Sequence, residues 1–246
     1  MRIALLSDIH ANREALSACL DHATGHGVER KVFLGDYVGY GADPEWVVDT
    51  LAAEVERGAV ALRGNHDDAV LTGTSGMNTD AAIAIEWTRS RLDASRRDLL
   101  AGLPLQIEQN DRLYVHASAH APAEWDYVTD LYAASKSFAA TRAHTTFCGH
   151  THVPALFHLS ASGKFASFDP ADRVEIPLTR HRRWLAVIGS VGQPRDHNPA
   201  ACHAVLDDER DTLTYLRVPY DVDTAARKIL QAGLPAGLGH RLHVGY

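Results

Sequence analysis

The 246-residue chain reads as an α/β protein: two mixed β-sheets packed together and covered by helices. Three observations predict this class. The first half alternates short apolar runs with helix-length segments. The second half turns to hairpins. Five of the apolar runs, Ile3-Ala4-Leu5-Leu6, Val32-Phe33-Leu34, Val60-Ala61-Leu62, Leu113-Tyr114-Val115 and Thr145-Thr146-Phe147-Cys148, each lead into a short polar signature. Unbroken runs of this kind belong to strands covered on both faces. Ligands in open α/β sheets bind beyond the carboxyl ends of such strands, so five polar clusters at five strand ends can converge on one site.

After the first strand, Asn12 can cap a helix that runs to about Ala23, with Leu16, Cys19 and Leu20 on one face. Lys31 to Leu34 returns as a second strand, and the three segments make a right-handed parallel βαβ unit. Asp43-Pro44 opens the next helix with proline at its first position. That helix runs to about Arg57, before Gly58, and Val60 to Leu62 is the third strand. Ala69 to Asn78, carrying Gly73, Gly76 and several hydroxyl residues, reads as a loop. Thr79 to Leu92 and Ser95 to Leu103 read as two helices, the second stopped by Pro104. This excursion is well placed to wall the site. Ala155 to Leu159 and Lys164 to Phe168 flank Ser160-Ala161-Ser162-Gly163 as a hairpin. Trp184 to Ile188 is a strand, and Ala204 to Leu206 pairs with Thr212 to Val218 across residues 207–211. Asp221 to Ala232 closes as an amphipathic helix stopped by Gly233 and Pro235. No repeat, low-complexity segment or linker interrupts the chain, so residues 1–246 are expected to form a single domain.

Composition narrows the function classes. Apolar residues at 46% and charged residues at 22% are ordinary for a globular protein. Every apolar stretch is too short to cross a membrane as a helix. The first one ends after four residues in Ser7-Asp8, which is no secretory leader, so a cytoplasmic location without membrane contact is expected. Cys19, Cys148 and Cys202 are too scattered for a disulfide framework and read as small buried hydrophobes. The net charge of −7 argues against broad nucleic-acid binding. It leaves room for a small phosphorylated substrate held by a local field. Of fifteen histidines, only His10, His66, His116, His150 and His152 stand inside the signatures.

Those signatures are Asp8-Ile9-His10, Gly35-Asp36, Gly64-Asn65-His66-Asp67, His116 and Gly149-His150-Thr151-His152. They supply carboxylates, imidazoles and an amide in a number that can hold two cations. Two such ions repel, so an anion must bridge them, and Asp36 beside a glycine is the candidate. Asp8 and His10, spaced i and i+2, can point at one ion as the chain leaves its strand. His150 and His152 share that spacing and can serve one ion each, while Asn65 and His116 complete the set. Mixed imidazole and carboxylate ligation suits Mn, Fe or Zn rather than Ca. Two divalent ions against Asp8 and Asp36 leave a positive surplus that favours phosphate and hydroxide. In-line attack on phosphorus then needs a proton donor for the leaving oxygen. His66 fits that role, with Asp67 beside it to orient it; a polar turn capping the next helix is the plainer reading of the same residues.

This ordered set resembles the calcineurin-like metallophosphoesterase superfamily, over residues 1 to about 220. The resemblance implies a four-layer α/β/β/α sandwich with a dinuclear centre. It implies one ion on Asp8, His10, Asp36 and His152, a second on Asp36, Asn65, His116 and His150, and His66 as the acid. Gly39-Tyr40 and Asp67 stand where protein Ser/Thr phosphatases and symmetrical diadenosine tetraphosphatases carry Asp-Arg and Glu. The phrases Ser7 to Asn12, Gly35 to Gly41 and Gly189 to Arg195 are similar to small bacterial phosphodiesterase-like members. Such relatives commonly show Ser-Pro-Arg-Asp-Pro after the fourth signature; here Ser118-Ala119-His120-Ala121-Pro122 stands instead.

Asn12 and Arg13 are candidate phosphate contacts, although helix capping and a solvated face account for them equally. Tyr40 is a candidate for base stacking or for plain packing, and Arg195 in a Gly-rich turn for a phosphate contact. Arg180-His181-Arg182-Arg183 reads as a solvated turn ahead of a strand, with a phosphate-binding patch the lesser reading. The expected function is a two-metal phosphodiesterase acting on a small nucleotide-like or dinucleoside polyphosphate substrate. A phosphomonoesterase, a nuclease and a catalytically silent scaffold on the same site are the rivals.

Overall fold

Strand β1 (Arg2–Leu6) is buried on both faces from Ile3 onward: Ile3 and Leu5 enter one apolar cluster, Ala4 and Leu6 another. That double burial explains its unbroken apolar run. The computed structural model describes residues 1–246 and carries this pattern into two six-stranded mixed sheets.

In the first sheet β1 is flanked on one side by β2 (Arg30–Phe33) and β3 (Val60–Ala61), all parallel, with Leu5 opposite Val32 and Leu6 opposite Phe33. On its other side lie antiparallel β11 (Ala201–Asp207), β12 (Thr212–Val218) and the short edge strand β9 (Glu175–Pro177). In the second sheet β5 (Arg112–Val115), β6 (Thr145–Cys148) and β10 (Arg182–Val187) run parallel. They are bounded by antiparallel β4 (Gln106–Gln109) on one side and by the hairpin of β7 (Ala155–Ser160) and β8 (Phe165–Phe168) on the other.

The sheets face each other across a layer that includes Leu5, Val32, Phe147, Trp184 and Leu206. Each fully buried side chain of that size contributes about 1.5–3 kcal/mol, so this layer is a main source of stability. The outer face of the first sheet is covered by α1 (Arg13–Gly25), α2 (Pro44–Glu56), α3 (Asn65–Thr72) and α5 (Ala94–Gly102). Helix α4 (Thr79–Arg91) bridges these to α7 (Val222–Gln231) and α8 (Ala236–Val244) through Ala84, Ile229 and Leu238. The outer face of the second sheet is covered by α6 (Leu131–Ala140), with Phe138 packed on Val115, Phe157 and Leu185. The order is helix, sheet, sheet, helix: the four-layer sandwich.

Three departures from the sequence reading have physical causes. The expected loop at Ala69 is helical through Thr72, because α3 starts at Asn65 and buries Ala69 and Val70; it stops only at Gly73, whose φ of 110° suits glycine. Arg182 and Arg183 belong to β10 rather than to a solvated turn. Arg183 donates to the carbonyls of Phe138, Thr141 and Ala143 and so ties the end of α6 to the sheet, while Arg180 pairs with Asp211. Arg183 is therefore a structural tie, while Arg180 and His181 stay exposed in the turn ahead of the strand, as expected. Strands β4 and β9 and helices α6 and α8 carry no strong sequence signal and were not expected.

A candidate metal centre at the strand ends

Six parallel strand ends, three in each sheet, open onto one edge of the sandwich. The five signatures follow β1, β2, β3, β5 and β6, and the Gly189–Arg195 turn follows β10. At the tips the chain turns sharply. Asp8, His10, Asp36, His150 and His152 all have positive φ, between 50° and 68°. This left-handed region is costly for residues with a Cβ, and such strain gathers where a site over-determines the backbone. Glycine makes room for it: a Cβ on Gly64 would overlap Asp36 Oδ1, and one on Gly149 would overlap Ser7 Oγ and Asp8 Oδ2.

The turns bring two groups of buried donors together, Asp8, His10, Asp36 and His152 in one and Asp36, His116 and His150 in the other. Asp36 belongs to both. His10 Nε2 lies 3.1 Å from His152 Nε2, and His152 Nε2 is 3.2 Å from Asp8 Oδ1. Asp36 Oδ2 is 3.7 Å from His10 Nε2 and 3.4 Å from His116 Nε2, which is 3.1 Å from Asn65 Oδ1.

The other ring nitrogens settle the tautomers. Nδ1 of His10 faces the carbonyl of Val38 at 3.0 Å, Nδ1 of His116 that of Leu34 at 2.9 Å, and Nδ1 of His152 that of Gln193 at 2.6 Å. A carbonyl only accepts, so each Nδ1 carries a proton and each Nε2 turns toward the centre. That leaves the Nε2 atoms of His10 and His152 facing each other with both Nδ1 protons already committed. A cation between them satisfies both, and the donor set fits a transition metal.

Charge tells the same story. Burial by itself would lower His116, but Asp36 and Asp8 outweigh it and push the imidazole up to about 9. Burial would raise Asp8 and Asp36; the imidazoles beside them, His152 for Asp8 and His116 for Asp36, hold both below the usual carboxylate range. Burial, followed by the charge on His116, lowers His150 to about 3. The pocket thus concentrates two carboxylates that draw a proton onto His116, while burial keeps His10 and His150 from carrying one.

Around this cluster the other expected residues sort clearly. His66 is buried, its ring packed between His10 and Tyr40, and its amide donates to Asp36 Oδ1 at 2.8 Å. Burial lowers its pKa to about 4, consistent with its place at the amino end of α3. Asp67 does not orient that ring, contrary to expectation. Its carboxylate accepts from the amides of Asp36, Tyr37, Val38 and Gly64, and His66 Nδ1 is buried without a partner. Asp67 fastens the loop that presents Asp36.

Asn12 is buried and serves the fold: Oδ1 caps α1 through Ala15 N and Nδ2 donates to Gly192 O, which favours the capping reading over a phosphate contact. Arg13 lies over the Trp46 ring on a solvated face. Tyr40 is only 6% exposed and covered by His10 and His66, so it packs and cannot stack on a base. Arg195 does reach the site. Its amide bonds His152 O, its guanidinium lies over Tyr40, Nη2 donates to Gln193 Oε1, and Nε is buried without a partner.

Sequence reasoning missed two neighbours of the centre. Trp125 stands edge-on to His116 and Tyr127 lies flat on His150. The available signal was a pair of aromatic residues in the polar stretch after His116. The three cysteines are buried and free. No helix is long and apolar enough to cross a membrane.

Comparison with known proteins agrees with this geometry. The chain is 34% identical to an uncharacterized protein of Methanocaldococcus jannaschii over 254 residues, 99% of this chain and 98% of that one. A crystal structure of a metallophosphoesterase from Sphaerobacter thermophilus is 33% identical, with a TM-score of 0.88 over 100% of this chain and 99% of that one. A hypothetical protein from Pyrococcus horikoshii shares the fold at 19% identity, with a TM-score of 0.79 over 100% and 98% of the two chains. Residues 1–211 match the model of the calcineurin-like phosphoesterase superfamily domain, and the chain belongs to that superfamily.

Proposed function

We propose that the chain is a phosphodiesterase acting on small nucleotide-like esters, dinucleoside polyphosphates among them, with two transition-metal ions, Mn, Fe or Zn, as cofactors. The observation that carries this reading is the single carboxylate of Asp36 shared between two buried donor groups. One ion would sit on Asp8, His10, Asp36 and His152, the other on Asp36, Asn65, His116 and His150. Once bound, such ions supply the positive charge that anchors a phosphate and acidifies a water.

The chain supplies the rest. Asp36 and Asp8 offset only part of the cations' charge, which favours an anionic ester. Arg195 would hold a phosphate oxygen, a role supported by its partnerless Nε and its guanidinium over Tyr40. His66 is the candidate proton donor to the leaving oxygen. Since burial keeps it neutral at pH 7, its proton has to be recruited by the negative charge of the ester itself. Tyr40 holds the imidazole in place from behind and Asp67 holds the Asp36 loop.

A silent scaffold would be expected to lack ligands or the acid, and all are present. A nuclease is disfavoured by the net charge of −7. The test is to strip the protein with chelator, restore Mn, Fe and Zn separately, and assay bis-p-nitrophenyl phosphate, p-nitrophenyl phosphate and dinucleoside polyphosphates. Turnover of the diester above the monoester is expected. No rate on any ester with any metal would leave the scaffold as the better reading.

A further inference from the structure

The segment that carries β5 into α6 brings two aromatic rings to the second donor group. Trp125 adopts φ 57° and ψ 34°, a left-handed conformation that a bulky side chain rarely takes, and its indole meets His116 edge-on at 5.9 Å. Tyr127 lies nearly parallel to His150, at 18° with 4.1 Å between centroids, yet the residue is 53% exposed. One face of its ring covers a ligand imidazole and the other is open.

Tyr127 and Trp125 both line a cleft of about 270 Å³. Asn65, His150, Gly73 and Met77 are among the other residues that line it. A cleft just below the ~300–1,000 Å³ usual for whole small ligands has room for one ring system attached to a phosphate at the metal centre. Asp68 lines it too, which disfavours a second phosphate there. Two aromatic rings and a thioether in one cleft with Asn65 and His150 fit a flat aromatic group joined to a phosphate.

We infer that Trp125 and Tyr127 form an aryl subsite that stacks the nucleobase of a nucleotide ester, setting substrate class where Tyr40, being buried, cannot. This inference rests on the phosphoesterase reading for the position of the phosphate. Every base has a π face, so the subsite selects bases over aliphatic groups rather than one base over another.

The test pairs two substrates with the same leaving group, thymidine 5′-(p-nitrophenyl phosphate) and methyl p-nitrophenyl phosphate, with calorimetric binding of AMP and of ribose 5-phosphate to Mn-loaded protein. Wild type should favour the nucleoside ester in kcat/KM and AMP in affinity, each by roughly 5- to 150-fold, the range expected of one base stacked on an aromatic ring. Tyr127→Ala should collapse both preferences by about tenfold, and Tyr127→Phe should keep them. Hydrolysis of both esters without preference would overturn the subsite and leave the phosphoesterase reading standing. An AMP preference that Tyr127→Ala abolishes, in a protein that cleaves no ester, would sink the reading and keep the subsite. Equal losses on both esters and both ligands in Tyr127→Ala would reduce Tyr127 to a support for His150.

Discussion

Asp36 accepts a hydrogen bond from His66 N through Oδ1 while Oδ2 faces both His10 and His116, so one carboxylate orders the start of the His66 helix and joins the two donor groups. Asp36→Asn keeps the shape and an Oδ1 acceptor but removes the charge that two neighbouring cations require. Metal content after dialysis should fall from two ions toward none, and diesterase activity with it; two retained ions would refute the bridge. His66→Ala should keep both metals. It should lower kcat about 10²- to 10⁴-fold on esters with poor leaving groups and much less on p-nitrophenyl esters, because p-nitrophenolate leaves without a proton. Equal losses on both would remove the acid role. The donors were legible because their types and order are rare. The roles of Asn12, Asp67 and Tyr40 were not, since each depends on partners the local sequence does not reveal: Gly192 for Asn12, the Asp36 loop for Asp67, and His10 and His66 for Tyr40.

Among the elements, strands buried on both faces announced themselves and edge strands did not. β4 is half exposed and β9 has three residues ending in proline, so neither leaves an apolar run. Helix α8 is interrupted by Gly237 and Gly239, and α6 is rich in alanine and serine, so both lack clear periodicity. The contact of α1 with β11 hides a further device. His203 in β11 is fully buried, shares a hydrogen bond with His22 of α1 at 3.0 Å, and leaves Nδ1 unpaired. The His26 ring lies tilted against His22, and Arg173 and Asp172 are the charges facing that pair. Burial, then the charge of His22, lowers His203 to about 3, below the ordinary value of about 6.5. As pH falls below about 6.5 the unfolded chain takes up this proton while the folded one does not, so stability present above that pH is lost on the way down. From pH 7 to pH 5 the wild type should lose about 2 kcal/mol more than His203→Gln by urea unfolding. Parallel pH curves for the two proteins would show that His203 is protonated in the fold.

For the whole molecule, the centre spans the interface between the sheets. Asp8, His10, Asp36 and Asn65 follow strands of the first sheet, and His116, His150 and His152 follow strands of the second. The convergence of distant strand ends was readable from the signatures, whereas the layer joining the sheets was readable only as apolar composition. Hydrogen bonds such as Val191 N to Ser7 O and Gly192 N to Asp8 O already join the two edges here, and cations bound between them would stabilise the folded state further by mass action. At free metal 100 to 1,000 times the dissociation constant the gain is about 2.7–4.1 kcal/mol. At ~2–4 °C per kcal/mol for a chain of this size, the midpoint should rise by about 5–15 °C on loading and should climb with metal concentration. Chelator should reverse the rise, and Asp36→Asn should not show it. A melt that is the same with chelator as with saturating Mn, Fe or Zn would mean that the ions, if bound at all, do not join the sheets.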